Sequence, residues 1–148
     1  MLLYFALLAL HLTGAAVWVG GHLVLALGVL PAALRARDPG PVTAFEARFE
    51  RLGLAALALQ IATGLVLSLR ILPDPAMWFD ADQPLARAVL LKLALLIATL
   101  ALALHARLFV LPGLAPRSLP LLAAHIVGVS VLSLGFLLAG VSFRFGGW

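Results

Sequence analysis

The chain has no cysteine, only six acidic residues, and charged side chains at just 11% of its 148 positions. Without cysteine there is no disulfide, no iron–sulfur cluster and no thiolate metal site, and haem attachment through a C-x-x-C-H signature is excluded. The scarcity of charge, set against 64% hydrophobic residues, excludes an ordinary soluble globular domain. Met1 to Leu34 contains no Asp, Glu, Lys or Arg, which exceeds the roughly 20 apolar residues that a membrane-spanning helix needs. No basic segment opens that run and it continues past any plausible cleavage point, so it reads as a retained helix rather than a signal peptide. The net charge of +4 comes from loop arginines flanking apolar runs. That pattern fits membrane edges and argues against nucleic acid as a partner.

What is there is an all-α pattern: an integral membrane four-helix up-down bundle, one domain over residues 1–148, with spans at about 2–34, 52–69, 86–111 and 119–143. In the first loop, Asp38-Pro39-Gly40-Pro41 is a breaker, and Thr43-x-x-Glu46 fits a capping box that starts a short amphipathic lead-in. Phe45 and Phe49 on that lead-in read as interfacial anchors. In the second loop Trp78 and Phe79 read as belt residues, and Asp74, Asp80 and Asp82 as a solvated acidic cluster. The tail Phe143–Trp148 suits a short interfacial end. Arg35, Arg37, Arg48, Arg51, Arg107 and Arg117 gather on the face of loops 1 and 3. The positive-inside bias therefore places that face in the cytoplasm and both termini outside, in a bacterial inner membrane.

The chemistry lies in the histidines, every one of which falls in a span. His11, Trp18 and His22 occupy one helical face, Trp18 within about 20° of His11 and His22 about 20° to its other side. The two histidines are roughly 16 Å apart along the axis, too far to share a metal ion. Depths counted from the span midpoints put His22, His105 and His125 on one level, toward the cytoplasmic side, and His11 with Lys92 on another. Ala94, Ala98 and Ala101 form a small-residue stripe beneath His105. Histidines inside a bilayer tend to face a bundle interior, a cavity or a cofactor, and a neutral imidazole is the form that ligates metal. Copper(I) favours sulfur ligands, but there is no Cys, and Met1 and Met77 lie outside the spans. Haem b needs only one or two imidazoles and a dry slot between helices. Arg107, Arg87 or Lys92 is then placed to meet propionates, and Trp18 to stack on or near the ring.

Leu10-His11-Leu12-Thr13-Gly14-Ala15-Ala16-Val17-Trp18-Val19-Gly20-Gly21 resembles the first-helix signature of the copper-resistance protein D (CopD) family and of the related HemJ-type protoporphyrinogen oxidases. Leu91-Lys92-Leu93, followed by an apolar run to His105-Ala106-Arg107, is similar to the lysine-containing helix of the same superfamily. The resemblance implies an integral membrane helical protein. In HemJ-like members it further implies a b haem with His11 and Lys92 as essential residues, and in CopD-like members copper uptake or handling. His22 and His125 have no counterpart in the HemJ motif and suggest a haem protein with its own ligand set, carrying one or two haems. The leading expectation is thus a small b-type cytochrome whose axial pair is His22 with His105 or His125, and in which His11, with Lys92 as a partner, holds a second haem. Its partners are lipid, a quinol or redox partner protein, and, as an open alternative, a second copy in a homodimer. The competing expectation is a copper-handling protein with His22, His105 and His125 as one nitrogen-rich site.

Overall fold

The computed structural model describes residues 1–146, with Gly147 and Trp148 of the expected interfacial tail lying outside the described residues. Four helical stretches are long and apolar enough to cross a membrane: Leu2–Ala36, Gly40–Ile71, Pro84–Gly113 and Leu119–Ser142. The first comprises α1 (Leu2–Leu23), a π turn over Val24–Val29 and α2 (Leu30–Ala36). The second is one helix, α3 (Gly40–Ile71). The third comprises α4 (Pro84–His105), a second π turn over Ala106–Val110 and a 3₁₀ turn over Leu111–Gly113, and the fourth is α5 (Leu119–Ser142). The protein is an all-α membrane bundle.

Both π turns have a proline just beyond them. A proline ring collides with the carbonyl four residues back, here that of Leu27 for Pro31 and of Leu108 for Pro112. Each helix widens at that point: the Leu30 amide donates to Leu25 O and the Leu111 amide to Ala106 O, both five residues back. Such a turn absorbs the clash without ending the helix. The first span accordingly runs past Pro31 to Ala36, where Arg37 stops it in the left-handed region at φ 53°.

The lead-in and second span, expected as separate pieces, are one continuous helix of 32 residues. Nothing between Val42 and Leu72 breaks it, since Gly53 is tolerated inside a packed helix. Thr43 does not build the expected capping box. Its hydroxyl donates back to Gly40 O; the N-cap is Pro39, and the Asp38 carboxylate just before it accepts from the Gly40 amide at 2.8 Å.

The spans are antiparallel to their chain neighbours, as their short connections require. α1 packs along α3 and α5, and α4 packs along α5, whereas α3 and α4 make at most marginal contact. The ring of four is therefore open between the second and third spans. Three apolar clusters stack along its length. Leu25, Leu30, Val110, Leu119, Leu122 and Ile126 gather at the end carrying loops 1 and 3. Trp18, Val19, Leu57 and Val129 hold the middle, and Leu72, Trp78, Ala86 and Val89 hold the other end. Trp78 is thus a core residue rather than an exposed belt residue, its indole donating to Leu72 O at 2.9 Å, while Phe79 is exposed. In the same loop Asp74 and Asp80 accept from the amides of Ala76 and Asp82.

Candidate cofactor and ligand cavities

Two cavities open between these clusters. One, of about 510 Å³, is lined by His11 and Trp18 of α1, Gln60 and Gly64 of α3, Lys92 of α4 and Phe136 and Gly140 of α5. The other, of about 640 Å³, is lined by Trp18 and His22 of α1, Phe49 and Gly53 of α3, Ala106 and Arg107 after α4, and His125 of α5. Trp18 and Leu57 border both. A single indole with one leucine therefore partitions the bundle interior into a His11 cavity and a His22 cavity.

Each cavity-lining imidazole is orientated by a bond from its Nδ1. His22 Nδ1 donates to Trp18 O and His125 Nδ1 to Leu121 O, each at 2.8 Å and each four residues back on its own helix. A carbonyl can only accept, so each Nδ1 carries a proton; His125 Nε2 is met by His105 Nδ1 at 2.8 Å, whereas His22 Nε2 has no hydrogen-bond partner among the described residues. That is the arrangement in which a histidine presents Nε2 to a metal with its ring already held. Ser130 donates to Ile126 O at 2.7 Å and also reaches His22 O at 3.3 Å, tying α5 to α1 at this depth. His11 follows the same logic through a side chain. The Thr63 hydroxyl points its proton at Leu59 O at 2.6 Å, so it accepts from His11 Nδ1 at 2.9 Å, and the His11 ring is also hydrogen-bonded to the Gln60 backbone. Gly64 gives that ring its room: a Cβ there would lie 3.2 Å from His11 Cε1.

His105 departs from expectation. It is exposed on the outside of the bundle together with Ala94 and Ala101, two members of the stripe expected to line an interior slot. Its ring turns sideways to lie parallel to that of His125, with centroids 4.9 Å apart and Nδ1 2.8 Å from His125 Nε2. Because His125 already donates from Nδ1, its Nε2 accepts here and His105 is the donor. The three histidines expected on one level thus form a pair, His105 with His125, and a separate His22. Among the described residues no three His, Asp or Glu side chains come close enough to hold one metal ion. The expected nitrogen triad is not assembled, because the Trp18 carbonyl holds the His22 ring on its own helix and His105 sits on the outer face of α4.

Several residues of the His22 cavity were assigned elsewhere from sequence. Phe45 and Phe49, expected as interfacial anchors, stack on each other at 5.5 Å, and Phe49 meets His22 edge-on at 6.2 Å. Phe49 fills the space left by Gly21 and Gly53, where any Cβ would strike its ring. Glu46 and Glu50, expected outside the membrane segment, line the cavity mouth, and Glu50 forms an ion pair with Arg107. The signal that could have found them is the stripe Glu46, Phe49, Gly53, Leu57, Gln60 and Gly64, which keeps helical spacing across the presumed boundary between loop and span. At the other level, Lys92 Nζ lies 4.6 Å from the centre of the Phe143 ring, with no ion-pair partner among the described residues.

A bundle of four helices long and apolar enough to cross a membrane, with imidazoles lining two mostly apolar cavities, defines a polytopic membrane protein. The sequence model of one family, described as copper resistance protein D, matches residues 43–143, and the chain belongs to this CopD family. The match includes Lys92, His105 and His125 but not the first-helix segment that carries His11, Trp18 and His22. No curated protein and no solved structure matches the chain.

Proposed function

We propose that this CopD-family protein is a small membrane b-type haem protein in which His22 and His125 would hold the haem iron in the 640 Å³ cavity. The observation that carries the reading is a shared feature: two imidazoles from different helices, each with Nδ1 held by its own i−4 carbonyl, line one mostly apolar cavity, His22 with Nε2 unpartnered among the described residues and His125 with Nε2 taken up by His105. The residue set fits the group. The walls are mostly apolar and aromatic and two small residues, Ala103 and Ala106, stand on one side; at the mouth Arg107 would exchange its Glu50 partner for a propionate. When bound there, haem supplies one-electron chemistry. The chain's own part is to hold the two rings in the tautomer that ligates, to shield the site with Phe49 and Trp18, and to let the His105 hydrogen bond on His125 Nε2 give way. On this reading the protein passes electrons between a quinol or redox partner and its haem, in a bacterial inner membrane with loops 1 and 3 cytoplasmic.

A second reading is favoured by the family and by one contact. His105 and His125 are adjacent imidazoles, so a copper ion held between their nitrogens would make this a copper-handling protein, with borderline nitrogen donors in place of sulfur. One set of variants separates the two. Under the haem reading the purified protein shows a sharp reduced-minus-oxidised visible band that is lost in His22→Ala and His125→Ala and kept in His105→Ala. A colourless protein that binds stoichiometric copper, and loses it in His105→Ala but not in His22→Ala, would reverse the order.

A further inference from the structure

We propose that the His11 cavity is a binding site for a membrane quinol or quinone, which names the substrate class for the redox reading above and rests on that reading. Three independent features point to this ligand. The cavity is mostly apolar and offers an acceptor and a donor beside the side chains of Gln60 and Ser68: with Nδ1 donating to Thr63 the neutral His11 ring keeps its Nε2 lone pair, and Lys92 Nζ has no carboxylate partner among the described residues. A quinol hydroxyl can donate to the first, and a quinone or quinolate oxygen can accept from the second. The walls suit a flat ring, since Tyr4, Trp18, Trp78, Phe136 and Phe143 all border the space. Access suits a lipid-dissolved molecule, because the helix ring is open between α3 and α4, so an isoprenoid tail can lie out toward the bilayer.

Position adds the functional consequence. Trp18 is shared by this cavity and the His22 cavity, so a quinol bound in one is separated from a group bound in the other by the Trp18–Leu57 partition. Oxidation of one quinol to quinone releases two electrons and two protons. A haem held in the other cavity would take these electrons one at a time; His11 Nε2 is placed to receive one proton, and water at the membrane edge takes the other.

The test titrates a short-chain benzoquinone with one isoprene unit into the purified full chain, read by tryptophan fluorescence and calorimetry, with the visible haem band recorded on each sample. Saturable binding is expected, weakened about tenfold or more by Lys92→Met and by His11→Phe, the scale of losing a charge-assisted hydrogen bond. Binding should survive His22→Ala, the variant that removes haem. Unchanged affinity in both Lys92→Met and His11→Phe would overturn the site. Loss of the haem band in those two variants would overturn it as well, by showing that this cavity holds the haem. Unaltered haem in His22→Ala, with quinone binding behaving as expected, would sink the haem assignment and leave the quinone site standing. Should the variants fail to fold, a photoreactive azidoquinone on the unaltered protein decides the matter: labelling of the segments carrying Tyr4 or Trp78 supports the site, and labelling confined to other segments refutes it.

Discussion

Two neighbouring glycines on α1 show how finely single residues set the interior. A Cβ at Gly20 would meet nothing within 4 Å, whereas one at Gly21 would run into the Phe49 ring. Replacing glycine by alanine in a helix ordinarily stabilises it by about 1 kcal/mol. Gly20→Ala should therefore be neutral or raise the thermal midpoint in detergent. Gly21→Ala must displace Phe49 from beside His22, with an overpacking cost of about 1–3 kcal/mol, and should lower both the midpoint and whatever occupancy the His22 cavity has. Equal behaviour of the two variants would mean that Phe49 does not sit where we describe it. By contrast, the pair Arg107–Glu50 has both side chains largely in the open, 61% and 42% exposed. An exposed pair contributes about 0–1 kcal/mol, so it orients Arg107 at the cavity mouth and adds little to the stability of the fold.

The π turns are the distinguishing devices at the scale of elements. Each brings one residue more into the turn than an α-helix holds, and each lies directly after a histidine-bearing helix, α1 with His22 and α4 with His105. The extra residue sets the phase of everything beyond it, which in the first span places Leu30 and Ala33 in the core at 3% and 0% exposure. Removing one residue from the turn relaxes it to α geometry and keeps that phase. Removing one from a regular helix rotates the remainder by about 100°. Deletion of Leu27, whose side chain is exposed, combined with Pro31→Ala to remove the ring that α geometry would bring against a carbonyl, should thus leave a folded, monodisperse protein, while deletion of Val17 within α1 should not. Size-exclusion profiles and thermal midpoints of the two deletions check this, and a Leu27 deletion as damaging as the other would show that the turn does not absorb the residue.

At the scale of the whole molecule, the lack of cysteine makes topology directly testable, since any introduced thiol is unique. Under the proposed orientation, which puts loops 1 and 3 in the cytoplasm, Asp82→Cys in the second loop should react with a membrane-impermeant maleimide in intact cells, and Arg117→Cys in the third only after permeabilisation. The reverse pattern would invert the orientation. The sequence alone determined that the chain spans the membrane four times, because unbroken apolar length and scarce charge leave the backbone no other way to satisfy its hydrogen bonds in lipid. It also separated His11 and Lys92 from His22 and His125, because helical rise converts sequence spacing into depth. Only the tertiary structure decided which imidazoles face inward. His105 and His125 lie at similar depth, yet one is exposed and the other buried, since rotation about each helix axis is set by packing against neighbours and not by hydropathy in uniformly apolar helices. For the same reason only the packed bundle revealed that the ring is open between α3 and α4, that Phe49 and Glu46 belong to an interior cavity, and that one tryptophan stands between two sites.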